Sequence, residues 1–256
     1  MDLNLHAIEN VPIIKPGDDI ADIICDLLSD IQDDDIFVIA STIISKAENN
    51  FFKLDGITAG PEAIRISKLN GKDPRFVQVV LDESLEVFIE SPFMLVRTTR
   101  GNVCVNAGID GSNVGDSVYI TLPKNPEKAA KEIGLKIFEK TGKKVSIIVS
   151  DTNGRAFKVG QTNAAIGVYG ISPIRDWVGS QDLFGKVLEA SKQAIVDEIA
   201  CAANILMGEG SYGYPIIRVR GLSLYTDEKV SINDLFRPEK DDIIIEGLRL
   251  LRGIED

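Results

Sequence analysis

The stretch LMGEGSYGYP, Leu206 to Pro215, decides how this chain is read. Gly208, Gly210 and Gly213 spell G-x-G-x-x-G, which in a dinucleotide-binding unit follows a strand and opens a helix, so that pyrophosphate rests on the first amides of that helix. Here the flanks run the other way. Upstream, FGKVLEASKQAIVDEIACAANILM reads as the strongest helix of the chain, with Val187, Leu188, Ile195, Ile199, Ala202 and Leu206 as its apolar stripe. Downstream, YPIIRVRGL has the composition of a strand. Helix, glycine loop, strand is the reverse of the Rossmann order, so the fingerprint fails on its context. TGKK fails as a P-loop too, because Lys143 is followed by Lys144 where a hydroxyl residue has to bind magnesium.

Working outward, the remaining segments alternate helix and strand. DDIADIICDLLSDI places Ile20, Ile23, Ile24, Leu27, Leu28 and Ile31 at helical spacing behind Asp18 or Asp19 as cap, and DDDIFVIAST is a buried-type strand ending in small hydroxyl residues. A helical pair follows, opening at Pro61 and at Asp73-Pro74. LEVFIES and FMLVRTT read as strands around Pro92, and NVCVNAGID reads as a strand closed by Asp110. NPEKAAKEIGLKIFEKTGKK predicts a helix with Ile133, Ile137 and Phe138 on one face and Gly142 as its stop, leading into VSIIVSD, a strand closed by Asp151. The order predicts a mixed α/β protein, neither Rossmann nor P-loop.

Composition narrows the function. At 256 residues the chain fits one large domain or two small lobes, and its net charge of -11 argues against nucleic-acid and membrane-surface partners, which select basic patches. The N-terminal residues carry acids and prolines where a signal peptide has basic and then apolar residues. Cys25, Cys104 and Cys201 are odd in number and far apart. These features predict a cytoplasmic protein with free thiols. His6 is the only histidine, which removes the serine–histidine and cysteine–histidine mechanisms unless that one residue carries them.

Acids share an unusual address instead. Asp110 and Asp151 close strands and precede DGSN and DTNG, and Glu209 sits inside the glycine loop. Carboxylates on rigid strand ends suit Mg²⁺ or Mn²⁺ held partly through substrate phosphates, with Thr152 and Asn113 adding oxygen or amide contacts. Asp and Asn before Gly are also ordinary turn formers, so the turn reading stands beside the ligand reading. In ASTIISKAE, Lys46 is either a solvated helix lysine or an ammonium aimed at phosphate, with Ser41 and Thr42 as hydroxyl donors. Arg155, Lys158 and Arg175 carry the same ambiguity.

Taken in order, VPIIKPGDD, STIISKAE, GNVCVNAGIDGSNV, SDTNGRAF, DWVGSQDLFG and DEIACAANILMGEG closely resemble the archaeal coenzyme F-420:gamma-L-glutamyl ligase (CofE) family, over about residues 10 to 221. The resemblance implies that family's α+β fold as a single catalytic unit. Its two lobes are expected at roughly 1–90 with 215–256 and at 91–214, with the active site between them or at a dimer interface. It implies GTP-dependent addition of L-glutamate to a deazaflavin coenzyme precursor through an acyl phosphate, commonly followed by a second, gamma-linked glutamate. It further implies a homodimer, two divalent ions (Mg²⁺ or Mn²⁺) and K⁺ as an activator. Position by position, Asp110, Asp151, Thr152 and Glu209 are the implied metal set. Ser41, Thr42, Lys46 and Asn113 are implied nucleotide contacts. Val11, Pro12, Ile13 and Ile14 are expected along the base, and Met207, Gly208, Glu209, Gly210, Ser211, Tyr212, Gly213 and Tyr214 around the nucleotide. The rival readings are a metal-dependent nucleoside triphosphate hydrolase and a nucleotide- or deazaflavin-binding protein without turnover.

Overall fold

A computed structural model describes residues 2–252. In chain order, strand β1 (Asn4–Ala7) leads to helix α1 (Ile20–Leu27), strand β2 (Ile36–Ala40), helix α2 (Ser41–Ala47) and the short strand β3 (Phe51–Phe52). Helices α3 (Pro61–Asn70) and α4 (Pro74–Asp82) precede strands β4 (Ser84–Ile89), β5 (Leu95–Thr98), β6 (Val103–Val105) and β7 (Tyr119–Ile120). Helix α5 (Pro126–Thr141), strands β8 (Ser146–Gly154) and β9 (Gln161–Tyr169), and the two-residue strands β10 (Arg175–Asp176) and β11 (Lys192–Gln193) come next. Helix α6 (Ile195–Met207), strand β12 (Ile216–Arg220) and helix α7 (Ile243–Leu251) complete the fold.

The centre is a five-stranded sheet in the order β1-β12-β2-β8-β9, in which only β2 and β8 run parallel. β2 and the Ile147–Val149 run of β8 are apolar because both faces of the sheet are covered there. On one face α1 and α5 bury Ile24, Phe37, Ile39, Ile137 and Val149; on the other α6 buries Val38, Ile148, Val196, Ala200 and Ala203. Two glycines set the spacing. A Cβ on Gly134 of α5 would lie 2.2 Å from the Tyr169 ring, and one on Gly167 of β9 would lie 2.5 Å from the Pro126 backbone, so only glycine lets α5 settle on β9. A separate three-stranded sheet, β4-β5-β6, is backed by α3 and α4 around Ala63, Ile66, Val77, Val80 and Met94. The central sheet draws β2 from the first expected lobe and β8 from the second.

The predicted helix ends hold where a cap is present. Asp19 accepts from the Asp22 amide at the start of α1, Asn125 does the same for Lys128 in α5, and Gly71 and Gly142 close α3 and α5 in the left-handed region at φ 71° and 70°. Four readings need correction. The helix expected from Phe184 begins only at Ile195. Upstream of it, Asp182 accepts from the amides of Phe184 and Lys186, Gly185 takes φ 83°, and Gln181 bridges Val187, so local turn chemistry overrides the helical pattern. Phe138 is exposed while Ile133 and Ile137 are buried. The strand expected to close at Asp110 stops at Val105, because Asn106 and Ala107 turn the chain through the left-handed region. Ser41 and Thr42, expected at a strand end, form the first turn of α2.

Candidate active site

The parallel pair determines the site. Ala40 of β2 stands opposite Ser150 of β8, so the next residues, Ser41 and Asp151, meet where the parallel pairing ends. Ser41 is buried and its hydroxyl donates to Asp151 Oδ1 at 2.8 Å. Strand β8 does not end at Asp151, as the sequence suggested, but continues to Gly154 against β9, which gives the carboxylate a paired backbone on either side. The glycine loop arrives at the same place because the Ala40 amide donates to Pro215 O at 2.9 Å, tying the loop's end to the end of β2.

Electrostatics set Asp151 apart. Burial pushes its carboxyl up to about 6, opposed by the Ser41 hydrogen bond and reinforced by the negative charges of Asp110 and Glu209. Asp110 reaches the site through a backbone bridge to Ile120, and its own carboxylate accepts from the Ser112 amide at 2.8 Å and from the Ser112 hydroxyl. Asp110 therefore makes the turn contacts that its sequence suggested. Lys46, in the last turn of α2, donates to Asn113 O at 2.7 Å. Burial lowers the Lys46 ammonium, and Asp110 acts against that shift.

Thr152 and Glu209 form the other side. The Thr152 hydroxyl lies 2.9 Å from Asn163 Oδ1 and 3.1 and 3.2 Å from the two carboxylate oxygens of Glu209. One proton faces three acceptors, so oxygen donors outnumber hydrogens. Asn204, one turn back on α6, donates to Glu209 Oε1 at 2.8 Å. In the loop itself Gly208 has φ 67°, and a Cβ there would stand 2.6 Å from the Tyr212 ring, so the glycine lets the tyrosine fold over it. Met207 is buried, Tyr214 packs against the α6 core, and Gly210, Ser211, Tyr212 and Gly213 are exposed.

Other predicted residues make contacts of their own. Val11 and Ile14 pack into the α1 core while Pro12 and Ile13 are exposed, and the segment is tied to the end of α2 by the Gly17 amide donating to Ala47 O at 2.9 Å. Thr42 is partly buried in the first turn of α2. Arg155 folds back on Val159 O at 2.9 Å, and Arg175 stacks over Trp177. Among the described residues no three carboxylates, thiols or imidazoles already stand as a preformed metal cluster. The cysteines are free thiols. Asn163 and Asn204 escaped the sequence reading. Their signal was a polar amide inside an apolar run, TNAAIGV and CAANILM.

A mixed α/β scaffold that sets Asp151, under the charges of Asp110 and Glu209, beside Thr152 and a glycine loop where a parallel strand pair ends presents an enzyme's site. A family model described as F420-0:Gamma-glutamyl ligase matches residues 9–221, and the chain belongs to that family and is a ligase. A protein of Methanosarcina mazei named Coenzyme F420:L-glutamate ligase is 53% identical over 247 residues, covering 96% of this chain and 97% of its own. Proteins with the same name from Archaeoglobus fulgidus and Methanocaldococcus jannaschii are 42% and 41% identical, covering 97% and 91% of this chain and 99% and 93% of theirs. Among the described residues no helix is long and apolar enough to cross a membrane.

Proposed function

We propose that this chain joins L-glutamate to the deazaflavin F420 precursor at the expense of GTP, and then adds a second glutamate through a gamma-linked amide. The names of the relatives support the substrates. The observation that carries the reading is Asp151, hydrogen-bonded by Ser41 and raised by the charges of Asp110 and Glu209. Lys46 is the cation described beside Asp110.

The donor set fits hard divalent cations. It is made of oxygens, Thr152 has too few protons for the acceptors around it, and the burial of Asp151 disfavours its charge until a cation is near. Asp110, Asp151, Thr152 and Glu209 would hold two Mg²⁺ or Mn²⁺ ions, which supply charge neutralisation to the phosphates.

A carboxylate is a poor electrophile. In the proposed reaction a precursor carboxylate oxygen takes the γ-phosphoryl group, GDP departs, and the glutamate nitrogen attacks the acyl carbon. Phosphate then leaves with the bond's electron pair while the amine gives up a proton. Lys46 binds a phosphate oxygen, Ser41 orients Asp151, and Thr42 and Asn113 position the triphosphate. Val11 to Ile14 lie along the base, and Met207 to Tyr214 cover the nucleotide. The same reading takes K⁺ as activator and a cytoplasmic homodimer of two-lobed protomers as the working form. The test incubates the protein with precursor, GTP, glutamate and Mn²⁺ and weighs the product. Glutamylated precursor with matching GDP is expected, and GDP without it would support the hydrolase instead.

A further inference from the structure

Beside Asp151 a cleft of about 600 Å³ opens between β9, the first turn of α6, the β4-β5-β6 sheet and the C-terminal segment from Leu235 to Ile245. Most of its charged side chains are already committed. Arg97 pairs with Glu239 and lies 3.8 Å from Glu86, and Asp242 caps α7 by accepting from the amides of Ile244 and Ile245.

Two are not. Asp197 lines the cleft from α6, and its Oδ1 accepts from the Ala165 amide at 2.8 Å. Its second oxygen has no hydrogen-bond partner among the described residues. Arg237 lines the same cleft, is exposed, and has no ion-pair partner among the described residues. A partly buried carboxylate without a cation is costly, and burial does raise the Asp197 carboxyl. The site thus presents one acceptor for a cation on its inner wall and one cation at its rim.

Register places Asp197 next to the chemistry. Ala165 pairs with Ser150 and its neighbour Ala164 pairs with Asp151, immediately after the irregularity between Val149 and Ser150. By accepting from the Ala165 amide, Asp197 ties the start of α6 to β9 one residue from the partner of Asp151.

We infer that this cleft is the amino-acid subsite, in which Asp197 receives the α-ammonium of an acidic amino acid and Arg237 receives a carboxylate. The inference rests on the proposed ligase reaction for its substrate class. It gives the orientation that reaction needs, because the nitrogen is held on the Asp151 side and the carboxylates point to the rim. It also gives selectivity. A charge-assisted contact from Arg237 discriminates a carboxylate from an amide, and Asp197 discriminates an amine from its absence.

The test uses Asp197→Asn, which keeps an oxygen able to accept from the Ala165 amide, and Arg237→Gln at an exposed position. Titration of L-glutamate into the Mn²⁺-loaded protein reads the site without turnover. Each variant is expected to weaken binding by at least about 10-fold, with Arg237→Lys in between. In turnover with precursor and GTP, the KM for glutamate rises by the same factor while the KM for GTP stays within about twofold. Glutarate, which lacks the amine, competes with glutamate in the parent; Arg237→Gln weakens that competition and Asp197→Asn does not. Glutamate binding with no ligation would overturn the proposed reaction and leave the subsite standing. Ligation or binding unchanged in both folded variants, or no glutamate binding by the parent, would overturn the subsite.

Discussion

Replacing Asp151 by Asn removes a charge from a place that resists it while keeping an oxygen to accept from Ser41 at the position now 2.8 Å away. The native carboxyl is pushed from 3.8 to about 6, and at about 1.4 kcal/mol per pH unit that corresponds to about 3 kcal/mol against the folded state. Asp151 is only partly buried, and solvent in the cleft trims the figure to about 2 kcal/mol. The sign follows from linkage. For an acid whose folded value is raised, the penalty is fully present above about 6, fades as pH falls towards 3.8, and is absent below. Urea unfolding with chelator present should therefore find Asp151→Asn more stable than the parent at pH 8, by about 2 kcal/mol, with the gap closing towards pH 4. Adding Mn²⁺ should raise the parent's midpoint and leave the variant's nearly unchanged, and ligation should be lost in the variant. A variant less stable than the parent at pH 8, or a gap that ignores pH, would refute the reasoning.

Three further outcomes follow from other contacts. Glu209→Gln, at an exposed loop position, should shift urea stability by less than about 0.5 kcal/mol yet lower turnover at least about 10-fold, measured by phosphate release at limiting Mn²⁺. Arg220→Met strips the partner of Asp35, which is fully buried and paired at 2.6 and 2.7 Å, and should destabilise the fold by about 3 kcal/mol or more in the same unfolding assay. Gly167→Ala would force a Cβ within 2.5 Å of the Pro126 backbone. It should cost about 2 kcal/mol or more and lower the thermal midpoint, whereas Gly210→Ala, with open space around it, should leave stability within about 1 kcal/mol.

The sequence made the strongest local signals legible. Caps at Asp19 and Asp73 and stops at Gly71 and Gly142 are written in single side chains, and a reader needs nothing distant to place them; the Asn125 cap of α5 was there to be read in the same way and was missed. The reversed order around Gly208 was readable for the same reason. Pairing was not. That Ser41 meets Asp151 depends on β2 running parallel to β8 across 110 positions of sequence, which no local pattern encodes. The segment from Phe184 to Ala194 misled because its apolar spacing matches a helix, while Asp182 and Gly185 bind the backbone into turns that spacing does not register. Asp197 and Arg237 were silent, since their significance is the lack of an ion-pair partner among the described residues, a property of the folded cleft.

In the proposed reaction GTP cleavage activates a carboxylate for attack by an amine. Precursor carrying heavy oxygen in its accepting carboxylate, incubated with the protein, GTP, glutamate and Mn²⁺, reads this in the released phosphate by mass spectrometry. One heavy oxygen is predicted in the phosphate released for the first glutamate added, because the acyl phosphate hands its bridging oxygen to the leaving group; a second addition activates the unlabelled γ-carboxylate of that glutamate and releases phosphate without label. Phosphate without heavy oxygen throughout, formed at the same rate without glutamate, would contradict it.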